Sequence, residues 1–536
     1  MKTAAVMSLV FALLAPSAAS GRQDPAPSTV SLHMAALTGN VEAVRRHVAA
    51  GSDLDEKDPF GSTPLIVAAT FGTADVAQVL MDAGADLDLT NGDGATALHI
   101  AAFLCRDEIV RDLLAHGARK YVRDHAGNTP WEAVSGPFED VRPIYETLEK
   151  GLGPFGFAID FADIQRRRPE MAALLRPDVG ELHGVDYAPV IRSDWDVSTP
   201  GAEGLDPDLV SALYLEAGDL DRLYGLLVIK DGRLIGERYY TQGGIDRKNL
   251  LQSATKSVTS ALVGIALHRG CLQSVDQKML DFFPQQAARV TDPRKREITL
   301  RQMLEMRAGF PWEESDSTYW AEMLTGDYLP LVEDIPLTAD PGARFQYSNL
   351  TSHWLAVITA RACGQDLRAF AEENLFAPLD VEMGEWTRDV DGYVMGQAEL
   401  HLTARDAGRF GLLYLNGGAY RGRRIVPADW VAESLEPYSR SFVSGGVVNG
   451  NVGRYHRDVA YGYQWWSARA GEHLLDFAWG HGGQFIVLLH DLDMVIVVAS
   501  DPFRLQHDDE SWQHELALLN LVGKFIASLP PDGKAS

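Results

Sequence analysis

A chain of 536 residues with 46% hydrophobic content is long enough for more than one domain and apolar enough to fill large cores. Its formal net charge of -26 argues against nucleic acid or an anionic lipid surface as a partner, because both would repel it. The three cysteines, Cys105, Cys271 and Cys363, stand in unlike contexts, so the expectation is free thiols rather than a disulfide framework. The first predicted element is a leader. Met1-Lys2, the apolar run Ala4 to Ala15 and the small residues Ser17 to Ser20 read as a secretory signal peptide over residues 1–20. No later run of eighteen or more apolar residues follows. The expectation is therefore an exported chain, periplasmic or secreted, with no integral membrane segment after cleavage.

Residues 28–150 are organised on a period of thirty-three: Ala35-Ala36, Ala68-Ala69 and Ala101-Ala102 keep it, as do Gly51, Gly84 and Gly117. Thr63-Pro64-Leu65, Thr96-Ala97-Leu98-His99 and Thr129-Pro130-Trp131 fall in the same register. This pattern resembles ankyrin repeats, and the resemblance implies an all-α solenoid of three repeats with a divergent fourth from Gly127 to about Leu148. Small alanines let paired helices approach closely, and the glycines end them. His33 and His99 stand at helix starts, where a structural hydrogen bond is expected rather than a metal. Ankyrin stacks bind proteins, which leaves two arrangements open: recruitment of a separate protein partner, or docking on the chain's own catalytic domain. Residues 151–194, with Phe155, Phe157, Ile159 and Phe161, are expected to form a connector that is a packed joint rather than a loose tether.

Ser253 and Lys256 come next, in a segment whose apolar residues Val258, Leu262, Ile265 and Ala266 recur at helical spacing. Three-residue spacing on a helix sets a hydroxyl beside an amine, the arrangement of a serine nucleophile with a lysine base. Burial near the positive end of the helix lowers the lysine's affinity for a proton. After the turn-forming Pro341-Gly342, Tyr347-Ser348-Asn349 offers a phenol and an amide from one short loop, able to relay a proton and to hold a carbonyl or an amine. Tyr414 and Asn416 repeat that spacing but close an amphipathic helix, so Tyr414 is expected to be packing. Near the end, Gly480-His481-Gly482-Gly483-Gln484 enters a strand-like stretch, Phe485 to Leu489, which pairs across a turn with Met494 to Ala499. Glycine there permits the close backbone approach of a ligand. Phe310, Trp312, Tyr463, Trp465 and Trp466 are candidate pocket walls, with core packing equally open for each.

Ser-x-x-Lys, Tyr-x-Asn and a glycine-containing strand, in this order, resemble the serine hydrolases of the class C β-lactamase and penicillin-binding-protein superfamily. Within it, residues 253–264 and 425–430 look most like the 6-aminohexanoate-dimer hydrolases and related esterases. The resemblance covers residues 195–530. It implies an α/β, β-lactamase/transpeptidase-like domain with an antiparallel sheet flanked by helices, and so a multidomain chain. It also implies that Ser253 attacks a carbonyl, that Lys256 and Tyr347 share the proton transfers, and that Asn349 orients them. Backbone N–H groups of Ser253 and Gln484 would form the oxyanion hole, with His481, Gly482 and Gly483 beside the substrate. No cofactor or metal is implied. The family's third motif often begins Lys-Thr-Gly, where this chain has His481-Gly482-Gly483. An imidazole and a missing hydroxyl argue against strong β-lactam or D-alanyl-D-alanine recognition and favour an ester or uncharged amide as the small-molecule substrate. β-Lactamase or D-alanyl-D-alanine peptidase activity, and a catalytically silent binding protein working through the ankyrin stack, are the alternatives. Which of Lys256 and Tyr347 is the resting base stays open at this level.

Overall fold

The structure, a computed structural model, describes residues 30–177, 179–315, 317–440, 442, 447–502 and 508–531, so the expected leader lies outside the described residues. The chain divides into two compact units, Met1–Glu181 and Leu182–Ser536.

The first unit is helical. Helix pairs Leu32–Thr38 with Val41–Ala49, Pro64–Phe71 with Ala74–Asp82, Ala97–Phe103 with Asp107–Ala115, and Pro130–Ser135 with Phe138–Leu152 stack in sequence. The recurring threonines act as helix caps: the Thr63, Thr96 and Thr129 side chains each accept a backbone N–H one turn ahead. Alanines 35, 36, 68, 69, 101 and 102 are fully buried, which is why no larger side chain fits the helix contacts. His33 ties the first repeat to the second and His99 the third to the fourth, with Nε2 at 3.0 Å from the Ser62 and Asn128 carbonyls. The expected connector is not a separate segment. Helix Phe161–Leu175 closes the stack, and its Ile164, Met171 and Leu175 join Phe157 in the repeat core. Val190 and Asp194 belong to the second unit, held there by Arg405.

The second unit is built on an eight-stranded antiparallel sheet. Its strands are β1 (Leu223–Lys230), β2 (Arg233–Tyr239), β3 (Ser439–Arg440), β4 (His456–Tyr461), β5 (Trp466–Ala470), β6 (His473–Gly480), β7 (Gln484–Leu489) and β8 (Met494–Ser500). They lie in the order β2-β1-β8-β7-β6-β5-β4-β3. The central strands β1, β7 and β8 are buried at every position and largely apolar because both faces are covered. Leu227, Ile229, Ile486 and Val497 face one core, while Leu226, Val228, Val487 and Ile496 face the other. Helices α1 (Pro207–Ala217) and α5 (Asp508–Ser528) cover the second face, through residues such as Tyr214 and Leu518. The first is covered by α2 (Thr255–His268), α3 (Asn349–Cys363) and α4 (Ala404–Leu415). Within α4 and its end, Tyr414 is fully buried against Trp465 and Phe410, as packing.

Candidate active site

Ser253 occupies a single 3-10 turn, Gln252–Ala254, that runs directly into α2, so the α-helix proper starts two residues later than the spacing predicts. Gln252 enters this turn with φ of 48°, a left-handed conformation that non-glycine residues seldom adopt. The turn aims Ser253 Oγ at Lys256 Nζ, 2.9 Å away. Lys256 is 1% exposed, and its amine also donates to Asn349 Oδ1 at 2.8 Å and to the Gln397 carbonyl at 3.0 Å. The Asn349 amide is fixed in orientation. Its Nδ2 donates to Glu314 Oε1 at 2.7 Å, and a carboxylate only accepts, so Oδ1 must face the lysine. Two of the lysine's three neighbours are thus obligate acceptors, and the Ser253 hydroxyl is the one group that can donate back.

Burial pushes the Lys256 amine down to about 7, with Glu314 and Glu313 pulling the other way. Glu313 is fully buried, and its carboxyl is pushed up to about 7 by the same loss of water. It accepts from Ser348 Oγ at 2.6 Å, from the Asn349 N–H at 2.9 Å and from the Leu350 N–H at 3.3 Å, capping α3. Asn349 is therefore the first residue of a helix rather than part of the loop that carries Tyr347. The Tyr347 ring sits with its centroid 4.9 Å from Lys256 Nζ and 5.9 Å from the Trp466 ring. Burial raises the Tyr347 phenol above its ordinary range, a Ser253 hydrogen bond opposing, so it is a neutral phenol at pH 7.

The strand end behind Ser253 is equally constrained. A Cβ at Gly480 would stand 2.1 Å from the Leu251 carbonyl oxygen, so only glycine lets β6 reach the turn that carries Ser253. Residues 481–483 form the turn between β6 and β7 rather than the entry to one strand. This turn corrects part of the expected substrate-binding set. His481 lines the cavity, but Gly482, Gly483 and Gln484 do not. The Gly482 N–H donates to Glu515 Oε1 at 2.6 Å, and the Gly483 N–H to the Gly480 carbonyl at 3.2 Å. The Gln484 amide is turned to Ser500, where Nε2 donates to the carbonyl at 2.8 Å. Glu515, on α5, also accepts from Trp479 Nε1 at 3.0 Å and lies 2.8 Å from His481 Nδ1.

Ser253, Tyr347 and Asn349 open on a cavity of about 1150 Å³. Trp312 and Trp466 are among its walls, whereas Phe310, Tyr463 and Trp465 are in the core. Sequence reasoning misses Glu313, Glu314, Gln397 and Glu515. The two glutamates follow Trp312 directly, a cue available in the sequence. Gln397 acts through its backbone carbonyl and Glu515 through helix packing, neither of which leaves a local pattern.

A half-buried hydroxyl beside a buried amine and phenol at a large cavity, on a helix-covered antiparallel sheet, defines a serine hydrolase. A family model described as beta-lactamase matches residues 224–520, and one described as three copies of ankyrin repeats matches residues 32–124. The chain belongs to the beta-lactamase family and carries ankyrin repeats ahead of that domain. It is 26% identical over 275 residues to a 6-aminohexanoate-dimer hydrolase of Paenarthrobacter ureafaciens, covering 48% of this chain and 67% of that one. Among solved structures, it is similar to an octameric penicillin-binding protein homologue from Pyrococcus abyssi, with 16% identity and a TM-score of 0.45 over 59% of this chain and 76% of that chain. A D-stereospecific amidohydrolase from Streptomyces sp. matches at 17% identity and a TM-score of 0.42, over 53% of this chain and 90% of that chain.

Proposed function

We propose that this serine hydrolase cleaves an uncharged ester or amide through a covalent acyl-enzyme on Ser253, with Lys256 as the resting base. The hydrogen bonding of Lys256 carries the reading. A neutral amine has two hydrogens, and the Asn349 and Gln397 oxygens take both. Its lone pair is left facing the Ser253 hydroxyl. Tyr347, a neutral phenol, is suited to donate rather than to abstract a proton. Ser253 Oγ attacks the substrate carbonyl as its proton passes to Lys256. The tetrahedral intermediate then expels the alcohol or amine, which receives that proton through Tyr347. Water attacks the resulting ester by the same route in reverse, releasing the acid and restoring Ser253. The backbone N–H of Ser253, which lines the cavity, is the proposed oxyanion donor. The repeat unit, on this reading, supplies an extended surface for a protein partner.

Ser253→Ala should abolish labelling by a fluorophosphonate probe, as read by intact-protein mass. Undiminished labelling would refute the assignment of Ser253.

A further inference from the structure

The charged groups around the cavity are distributed in a way that bears on substrate choice. Among the described residues that line it, Arg388 and His481 are the basic side chains, set against Glu314, Asp389, Glu399 and Glu515. Both basic groups are already engaged. Arg388 donates to Asp366 Oδ2 and Oδ1 at 2.7 and 3.1 Å, and to the Gly392 carbonyl at 2.6 Å. His481 has Nδ1 at 2.8 Å from Glu515 Oε1 and Nε2 at 3.0 Å from Ser511 Oγ. Glu515 is 4% exposed, so its charge is poorly screened by water.

The His481–Glu515 pair therefore has two charge states. A protonated imidazole gives a net charge of zero, and a neutral one leaves the carboxylate's full negative charge. In neither state does the position that is lysine in the family's usual third motif offer a net positive charge. Glu314 and Glu399 accept from Asn349 Nδ2 and Thr387 Oγ1, without an ion pair among the described residues. A carboxylate on the substrate would give up its water and find no unpaired cation there.

We propose that Glu515 is a specificity-determining residue that excludes carboxylate-bearing substrates by neutralising His481, so that the cavity admits acyl and leaving groups without negative charge. Its bonds to Trp479 and Gly482 hold the turn so that His481 stays within reach. The inference rests on Ser253 as the nucleophile, as argued above, and it concerns a residue on a different element.

Two boronic acids that trap active-site serines test it: phenylboronic acid and 3-carboxyphenylboronic acid. Their Kd values are read on the full chain from tryptophan fluorescence, with p-nitrophenyl acetate turnover measured alongside. The unaltered protein should bind the carboxylate at least about tenfold more weakly. Glu515→Gln should narrow that ratio to within about threefold. The ratio is taken within each variant, so a general loss of affinity cancels. His481→Lys should narrow it only in combination with Glu515→Gln, because a lone lysine is neutralised as the histidine is. Equal affinities in the unaltered protein, or a ratio that neither Glu515→Gln nor the double variant changes, would overturn the proposal. Ester turnover accompanied by unselective boronate binding removes this inference and leaves Ser253 in place. Absence of both turnover and phenylboronic acid binding removes both.

Discussion

Lys256 illustrates how a residue acquires reactivity from its surroundings. An exposed lysine holds its proton far above neutrality, whereas this one is pushed down to about 7 by burial. As the proposed base, Lys256 must be free of its proton to act, so kcat/KM for a neutral ester should rise as pH climbs through about 7 and fall below it. Glu313 modulates this limb. Its negative charge favours the protonated amine, and its own carboxyl, raised to about 7, titrates over the same range. Glu313→Gln removes that charge and keeps an acceptor for α3, so the acid limb should move to lower pH. A pH–rate profile whose limb stayed in place or moved up would assign it to a different group. Ser253, Lys256, Tyr347 and Asn349 were all legible, because spacings of two or three residues mark them. The acceptor at Gln397 was not, since a backbone carbonyl has no residue signature.

At the scale of elements, the turn that carries Ser253 and the end of β6 depend on one another. Gly480 meets the Leu251 carbonyl backbone to backbone, and neither partner has a side chain that can rotate away. Gly480→Ala should therefore lower stability by about 1–3 kcal/mol, and reduce kcat/KM further by displacing Ser253. Thermal denaturation and ester kinetics check the two effects. A variant with native melting and native rates would show that the approach is looser than the distances imply. The glycines near His481 were expected to admit a ligand, whereas the atoms that approach Gly480, Gly482 and Gly483 belong to Leu251, Pro502 and Leu518 of the chain itself. Three residues between two strands make a turn, and the structure directs the Gly482 N–H at Glu515 instead of into the cavity. That partner lies on α5, thirty-three residues further on, where nothing in the local pattern of the hairpin points.

For the molecule as a whole, two kinds of architecture share one chain. The repeat unit is quasi-one-dimensional, and each repeat is stitched to its neighbour by groups such as His99. That imidazole is buried and its affinity for protons is lowered by loss of water; its Nε2–H donates to Asn128, and its Nδ1 accepts from Thr96. His99→Ala leaves those partners unsatisfied and should lower the repeat unit's stability by about 1–3 kcal/mol, read by calorimetry. The described cavity residues all fall between Gln252 and Glu515, so kcat/KM for a small ester should be unchanged. A parallel fall in activity would instead tie the repeats to the site. The sequence by itself determined the thirty-three-residue period, hence the solenoid, and the order of serine, lysine, tyrosine and asparagine. These are short-range regularities that each helix or turn expresses on its own. Only the tertiary structure decided how those groups behave. Gln397 reaches Lys256 across 141 residues, Glu515 reaches His481 from the last helix, and the burial that frees the amine of its proton exists only once the sheet and helices have packed.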